Sequence, residues 1–179
     1  MDLTSLFSRR QEWDWGLILS FNLGSFSFFE SQVLGNLVVK RNLTLVIDGQ
    51  NHDALMASES ARPNHLGIYY NLEKARVRRG GRFHPKLYLF VSDTACSVAL
   101  GSFNLSESGF KKNVEAGAIF HFELETLSTA DIQFLRDLRM LLRATFIQDN
   151  GLLEPVSRNL RQMVGELIGG AFFTEVMTR

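Results

Sequence analysis

The stretch HPKLYLFVSDTACSVALGSFN, residues 84–104, decides the fold and carries much of the chemistry of this chain. Within it, two apolar runs, Lys86–Val91 and Ser97–Leu100, are separated by a connection that includes Ser92 and Asp93. Short apolar runs bounded by turn residues are typical of buried strands. The short connection therefore predicts a hairpin, with polar residues before its first strand and after its second.

The residues upstream of the hairpin predict a βαβ unit. Gly16–Phe21 is a short apolar run and Leu43–Ile47 is a β-branched run that ends at Asp48-Gly49, so both are typical of buried strands. Between them, Ser27–Lys40 carries apolar residues at steps of three and four, which indicates a helix. A strand, a crossover helix and a strand in this order predict a parallel pair.

Further elements are predicted up to residue 125. His52–Arg62 has the pattern of a second helix, and Leu66–Leu72 is a candidate strand. The basic stretch Glu73–Arg82 is predicted to be a loop, in which Gly80-Gly81 suggests a mobile segment that closes over a substrate. Gly117–Phe122 is predicted as one more strand.

Beyond residue 125 the pattern is helical only. Ser128 and Asp131 resemble a capping pair at the start of one helix, and Pro155 opens another. We therefore assign residues 1–125 to an α/β domain and residues 126–179 to a helical C-terminal piece. The apolar faces of these helices either complete the core of the domain or form an interface with a second chain.

Composition bounds the kind of protein. The chain has 179 residues, 45% of them hydrophobic, with 19 basic and 19 acidic side chains, which predicts one globular domain without an overall basic character. Cys96 is the single cysteine, so neither a disulfide framework nor a thiolate zinc cluster is available. The N-terminal residues lack the pattern of a signal peptide, and we expect a cytoplasmic protein without membrane association.

The residues around the predicted hairpin combine side chains that suit a phosphodiester. His84 and Lys86 are two positions apart at the start of a predicted strand, so their side chains are expected on one face. Ser102 and Asn104 follow the next strand. An imidazole, an ammonium, a hydroxyl and a carboxamide supply a nucleophile or proton donor, a fixed positive charge and neutral donors for phosphoryl oxygens.

The pattern His84-x-Lys86, Gly101-Ser102-x-Asn104 and the trailing Glu115 resembles the HKD motif of the phospholipase D superfamily. It is most similar to the small bacterial nucleases and the metal-independent restriction endonucleases of that superfamily. The fullest form of the motif has an aspartate where this chain has Val91, so the assignment to a subfamily is the weaker part of the resemblance. The resemblance implies an α-β-α sandwich, with a mixed sheet flanked by helices.

The resemblance also implies a mechanism that uses neither a metal nor a cofactor. One histidine attacks phosphorus and forms a phosphohistidine, and a second protonates the leaving oxygen. Lys86 and Asn104 hold the phosphoryl oxygens, while Glu115 accepts from the far imidazole nitrogen of His84. Ser102 orders either the phosphate or the neighbouring loop.

The implied mechanism needs two histidines, and the chain contains one HxK motif. His52, His65 and His121 have no lysine two positions later. We therefore expect a twofold homodimer in which the two copies of His84 meet in one shared site.

A local concentration of positive charge favours nucleic acid as the substrate, with DNA preferred. Six basic residues fall within thirteen positions that contain no acid, and Lys111 and Lys112 lie just before Glu115. Such a patch attracts a polyanion, although a solvated basic loop would have the same sequence. The candidate substrate-binding residues are Arg78, Arg79, Arg82, Lys111 and Lys112.

Two other functions remain open at this point. A phospholipase D or phosphatidyl transferase would use the same machinery on lipid, with several phenylalanines as an apolar rim. A catalytically silent module would only bind nucleic acid. The resemblance further implies work beside a helicase or translocase in restriction or phage defence.

Overall fold

The computed structural model, which describes residues 12–58 and 62–179, contains a six-stranded mixed sheet with helices packed on both faces. The spatial order of the strands is β3-β2-β1-β4-β5-β6. The strands are β1 (Glu12–Ser20), β2 (Val38–Asp48), β3 (Asn71–Ala75), β4 (Leu87–Val91), β5 (Ala95–Gly101) and β6 (Gly117–Glu123). The predicted fold class is confirmed.

Strand directions bring several chain ends to one end of the sheet. β1, β2 and β3 are parallel to one another, as the predicted βαβ unit requires. β4 runs antiparallel to β1 and to β5, which confirms the hairpin, and β6 runs antiparallel to β5. As a result, β1, β2, β3 and β5 end where β4 and β6 begin. We call this the site end of the sheet.

The helices cover the two faces unequally. On one face lies the first helical segment, which passes from α-helix (Phe26–Phe28) through π-helix (Phe29–Val33) to 3-10 helix (Leu34–Asn36). The opposite face is covered by α2 (Thr129–Leu142), α3 (Arg158–Gly169) and α4 (Ala171–Thr178). A further helix, α1 (Gly49–Ala57), follows β2, and shorter helical turns span Arg78–Gly80, Ser108–Lys112, Leu124–Thr126 and Arg143–Ile147. No helix of these described residues is long and apolar enough to cross a membrane.

The α2 helix begins as the sequence predicts. The Ser128 hydroxyl accepts from the Asp131 backbone N–H at 3.2 Å, and the Asp131 carboxylate accepts from the Ser128 N–H at 2.9 Å. The single helix predicted after Pro155 is wrong, because a break at Gly170 divides it into α3 and α4. The apolar side chains of both helices pack inside the chain against the sheet.

Two predicted element boundaries are wrong, because contacts between residues far apart in the sequence set them. The helix predicted to reach Lys40 ends at Asn36, because Val38 and Val39 pair with the start of β1 and so begin β2. The strand predicted from Leu66 begins only at Asn71. The residues before it form a loop, whose backbone donates to the carboxylate of Glu30 on the first helical segment.

The helix predicted over His52–Arg62 is also displaced. α1 begins at Gly49, because the Asp48 side chain caps it by accepting from the N–H groups of Gln50 and Asn51. It ends at Ala57, and positions 59–61 of the prediction lie outside the described residues.

The basic loop is more ordered than predicted. Its first residues belong to β3, and its centre pairs with a segment that precedes α3. The Arg78 N–H donates to the Leu152 carbonyl at 2.9 Å, and the Glu154 N–H donates to the Arg76 carbonyl at 2.8 Å. The residues before Gly80 are therefore fixed by backbone pairing, and a mobile segment at Gly80-Gly81 stays a prediction.

Candidate active site

The predicted catalytic residues lie at the site end of the sheet, on the segments before β4 and β6 and on the loop after β5, and this last loop is bonded to the end of β1. Ser20, which is fully buried, accepts from the Leu105 N–H at 2.9 Å, and the Gly24 N–H donates to the Leu105 carbonyl at 2.9 Å. These bonds hold the loop after β5 against the loop after β1. The segment before β4 lies beside both, because β4 is the antiparallel neighbour of β1 and β5.

His84 and Lys86 lie side by side, as their spacing predicts. The Lys86 Nζ atom is 2.5 Å from Nδ1 and 3.2 Å from Nε2 of His84. Both residues precede β4, which begins at Leu87, so they are placed by a loop rather than by the strand itself. Burial lowers the pKa of Lys86 below its ordinary value, and the negative charge of Glu115 opposes part of that shift.

The His84 ring packs against Phe21, a residue that the sequence analysis assigned only to a strand. The ring centroids are 4.4 Å apart with an interplanar angle of 41°. The Arg82 guanidinium carbon and the Lys86 ammonium lie 6.0 Å and 5.9 Å from the centroid of the same phenylalanine ring, within the range of cation–π attraction. Phe21 therefore contacts a histidine and two cations at once.

Asp48 follows a predicted strand, and the sequence explains it equally well as the border of a site or as a plain turn. Its carboxylate is 2% exposed and accepts from the Phe83 N–H at 3.0 Å and from the Arg82 guanidinium at 2.8 Å, besides capping α1. Burial alone would raise the pKa of Asp48, but these hydrogen bonds hold it below its ordinary value. The Asp-Gly pair marked the end of a strand, and no local pattern indicated its distant partners.

Glu115 is bonded to its own loop. It accepts from the Ser102 hydroxyl and, at 3.2 Å, from the Asn113 side-chain amide. Between the described residues His84 and Glu115 no hydrogen bond is formed, so the predicted contact of Glu115 with the His84 ring is not made within one chain. Ser102 also accepts from the Ala116 N–H at 3.1 Å, which agrees with the loop-ordering role among its two predicted roles.

Asn104 has unused hydrogen-bonding capacity. Its side-chain oxygen is buried and has no hydrogen-bond partner among the described residues. Buried polar atoms are nearly always paired, so this oxygen, which is an acceptor, marks a position that awaits a hydrogen-bond donor. The residue before it, Phe103, is 1% exposed and packs against Gly101 and Gly117, which anchors the loop that presents the amide.

Most of the predicted substrate-binding cations are paired within the chain. Arg78 pairs with Asp149 at 3.1 Å, and Arg82 pairs with Asp48 at 2.8 Å. Two other cations of the basic stretch, Lys74 and Arg76, both pair with Asp53. Lys112 lies 3.6 Å from Glu107, and Lys111 donates to Gln32 at 3.1 Å. Among the five candidates, Arg79 alone has no ion pair or hydrogen bond within the described chain.

An apolar groove of about 620 Å³ begins beside the site. Pro85 and Lys86 lie at one end, and the groove continues between the sheet and α2, where Phe134, Leu138 and Leu141 line it. In the described residues no group of three or more His, Cys, Asp or Glu side chains could hold a metal ion.

The fold matches that of a known phosphodiesterase. Yeast tyrosyl-DNA phosphodiesterase aligns with 98% of this chain at 17% identity and a TM-score of 0.60, and 37% of the yeast chain is covered. A mutant form of the same enzyme gives 18% identity and a TM-score of 0.60, with 97% and 37% covered. This chain thus spans little more than a third of the length of the yeast protein.

A second solved structure is less similar to this chain. NucT from Helicobacter pylori aligns with 76% of this chain and 84% of its own at 18% identity, but its TM-score of 0.43 is too low to bear on the fold. No protein-family model and no curated protein sequence matches the chain. At these identities the likeness to the yeast enzyme shows the fold alone, a mixed sheet with helices on both faces.

Proposed function

We propose that this chain supplies one half of a metal-independent phosphodiesterase site and that it hydrolyses nucleic acid, with DNA as the preferred substrate. The observation that carries the proposal is that the contacting pair His84 and Lys86 precedes β4 while Asn104 follows β5, at the same end of two paired strands. An imidazole beside a fixed ammonium and a side-chain amide that can donate its N–H groups is suited to attack on a phosphodiester.

The proposed reaction has two steps. In the first, an imidazole nitrogen of His84 forms a bond to phosphorus while the bond to the leaving oxygen breaks, and that oxygen takes a proton from a second histidine. In the second, water attacks the phosphohistidine and gives a proton to the second histidine, which frees His84. Lys86 moves its ammonium from the imidazole to a phosphoryl oxygen when the substrate binds, and Asn104 donates to another.

The second histidine is proposed to be His84 of a second copy. His84 is exposed at the surface of the chain, where a twofold axis can bring two copies together. The other histidines are engaged elsewhere: His52 contacts Asp53, His121 contacts Glu123, and the His65 ring packs on Tyr69. A homodimer with a shared site therefore completes the chemistry.

Nucleic acid is favoured by the cations at the site end. Among the described residues the Arg79 side chain has no partner, and Lys111 makes only a hydrogen bond to Gln32, so both are able to bind phosphates that flank the cleaved one. The yeast protein that shares the fold is, by name, a tyrosyl-DNA phosphodiesterase. We further propose, from the resemblance alone, that the chain acts in the cytoplasm beside a helicase or translocase in restriction or phage defence.

A lipid phosphodiester is the second candidate substrate, and the apolar groove is the observation that favours it. The groove begins at Lys86, which is the proposed phosphate ligand, and its lining is mainly aliphatic and aromatic. An acyl chain of a phospholipid would fit such a surface.

The deciding experiment is a cleavage assay in EDTA on plasmid DNA and on single-stranded DNA. We expect the parent protein and His52→Ala to cut, and His84→Ala to be inactive while its fold and mass in solution are unchanged. Choline release from phosphatidylcholine vesicles, without DNA cleavage, would select the lipid substrate. Salt-sensitive DNA binding without cleavage would select the silent binding module.

A further inference from the structure

We propose that Asp48 and Phe21 are positioning residues for His84, with Asp48 fixing the backbone just before the histidine and Phe21 fixing the plane of its ring. The inference rests on the proposed function, because it assumes that His84 is the nucleophile. Neither residue touches the reacting phosphorus in this role. Both act through His84.

The segment that carries His84 needs anchors from elsewhere. Residues 81–86 belong to neither a helix nor a strand, so regular backbone pairing does not set their path. The anchor is Asp48, whose Oδ2 accepts from the Phe83 N–H at 3.0 Å, and the Phe83 side chain is 5% exposed. The backbone is therefore fixed at the residue directly before His84.

Asp48 is itself held firmly. It is the last residue of β2, and its N–H donates to the Phe21 carbonyl at 3.2 Å. Its carboxylate also receives the N–H groups of Gln50 and Asn51 at 3.1 and 3.4 Å. Because the donors come from α1 and from the His84 segment, one buried carboxylate joins the end of a central strand to the proposed nucleophile.

Phe21 restrains the ring. Its backbone carbonyl is bound by Asp48 and by the Asn51 side-chain amide at 3.0 Å, so the residue after β1 has a fixed position. Its side chain then lies 4.4 Å from the His84 ring, centroid to centroid. Rotation of the imidazole about χ2 would drive it into this aromatic face, so the packing selects one range of ring orientations.

The arrangement restrains the histidine without occupying its nitrogens. A carboxylate that orients a histidine usually accepts from one ring nitrogen. Here Glu115 of the same chain is bonded to Ser102 and Asn113 instead. An aromatic face and a backbone anchor leave both nitrogens to other partners: Lys86 contacts them in this structure, and once its ammonium moves to the phosphate, one can attack phosphorus and the other can bind a partner from outside the chain.

The test compares Asp48→Asn and Phe21→Leu with controls that remove similar groups elsewhere. Asp131→Asn removes a helix-capping carboxylate at α2, and Phe120→Leu removes a half-exposed ring on β6. We expect kcat for DNA cleavage to fall about 100-fold in each positioning variant with KM little changed, since misplacing a reacting group by about 1 Å costs that much. Both controls should keep the parent kcat.

A second readout does not depend on activity. In protein with ¹⁵N-labelled histidine, the side-chain signals of His84 should shift and broaden in Asp48→Asn and in Phe21→Leu, while those of His65 and His121 stay in place. Unchanged His84 signals in both variants would overturn the inference, as would an unchanged kcat. Failure of the parent protein to cleave any substrate would instead count against the proposed function, and the spectra would still decide the positioning roles. If Asp48→Asn does not fold, Phe21→Leu still tests the inference, because this substitution keeps every backbone hydrogen bond.

Discussion

Arg79 has a backbone conformation that side chains other than glycine rarely adopt, with φ at 62°. The left-handed region costs a residue with a Cβ atom roughly 1 kcal/mol, and such strain is often found at functional sites. Arg79 lies at the tip of the basic loop, between the ion-paired Arg78 and Gly80, whose φ is 77°. Because its backbone is strained and its side chain has no partner in the described part of the chain, we propose Arg79 as the loop residue that reaches a substrate phosphate.

Replacement of this residue should separate stability from binding. We expect Arg79→Gly to raise the free energy of unfolding by about 0.5–1 kcal/mol, because glycine relieves the strain. It should also weaken DNA binding and lower the slope of log K against log salt by about one unit, since one phosphate contact is lost. Urea unfolding and binding titrations at several salt concentrations measure the two effects. Arg79→Lys keeps the charge and should keep the slope; equal slopes for all three proteins would contradict the assignment.

Glu115 should tune the ionisation of Lys86. Its negative charge raises the pKa of Lys86 against the lowering effect of burial, so Glu115→Gln should lower that pKa further. Lys86 must be protonated to bind a phosphoryl oxygen, and activity is therefore lost as the pH rises through its pKa. The alkaline limb of the pH profile of kcat/KM should accordingly move to lower pH in Glu115→Gln and stay in place in Glu115→Asp. A shift of the limb to higher pH would exclude this coupling.

At the scale of elements, the site depends on how tightly β5 and β6 meet at their ends. Gly101 and Gly117 are paired across the two strands, and the Phe103 ring fills the space beside them. A Cβ atom on Gly101 would lie 2.6 Å from the Ala116 carbonyl oxygen and would also collide with the Phe103 ring. The glycine is therefore required by the close approach that presents Ser102 and Asn104.

Gly101→Ala should consequently damage both stability and the site. We expect a loss of about 1–3 kcal/mol in the free energy of unfolding, as for other overpacked interiors, together with loss of cleavage. Gly165→Ala is the matched control, because its new methyl group would meet only Ile147 Cδ1 at 4.0 Å and alanine favours the helix. Chemical denaturation of both variants provides the comparison. If Gly101→Ala were as stable as the parent, the loop after β5 would have moved to admit the methyl group, and the glycine would not be required.

At this scale, whether an element could be predicted from the sequence depends on how far along the chain its contacts lie. The β4–β5 hairpin and the α2 cap depend on neighbours in sequence, and both are confirmed. The end of the first helical segment and the start of β3 depend on pairing with β1 and on Glu30, more than twenty residues away, and local periodicity placed both wrongly.

The candidate site divides in the same way. His84, Lys86, Ser102 and Asn104 were identified because their spacing alone carries a chemical pattern. Asp48 was left open between the border of a site and a plain turn, and Phe21 was missed, because their partners lie 35 and 63 residues further along the chain and no motif marks them. The ion pairs of the basic loop were missed for the same reason, since Asp53 and Asp149 come from distant segments.

At the scale of the whole molecule, the proposed reaction requires two chains for each site. The surface that carries His84 continues into the apolar groove beside α2, where Leu141 is 60% exposed. A second copy that meets this surface would bring its own His84 toward the first and cover apolar area at the same time.

Mixing subunits tests this arrangement directly. If each dimer has one site built from both copies of His84, an equal mixture of parent and His84→Ala chains retains about a quarter of the parent activity after exchange, because random pairing leaves that fraction of dimers intact. A control mixture with His65→Ala should keep full activity. A value near one half, or a fully active monomer by mass in solution, would contradict the shared site.

The internal ion pairs of the basic loop have a consequence for how such a protein would find its target. Four cations of the loop are matched by Asp48, Asp53 and Asp149 of the same chain. Loose attachment to a duplex is driven by displacing counterions from many phosphates, and it allows a protein to slide or hop to a new position. Cations that are already paired with carboxylates of their own chain contribute little to this loose attachment. For a chain that acts on DNA, one-dimensional scanning would be brief, and the place of cutting would be chosen by whatever delivers the enzyme to the strand.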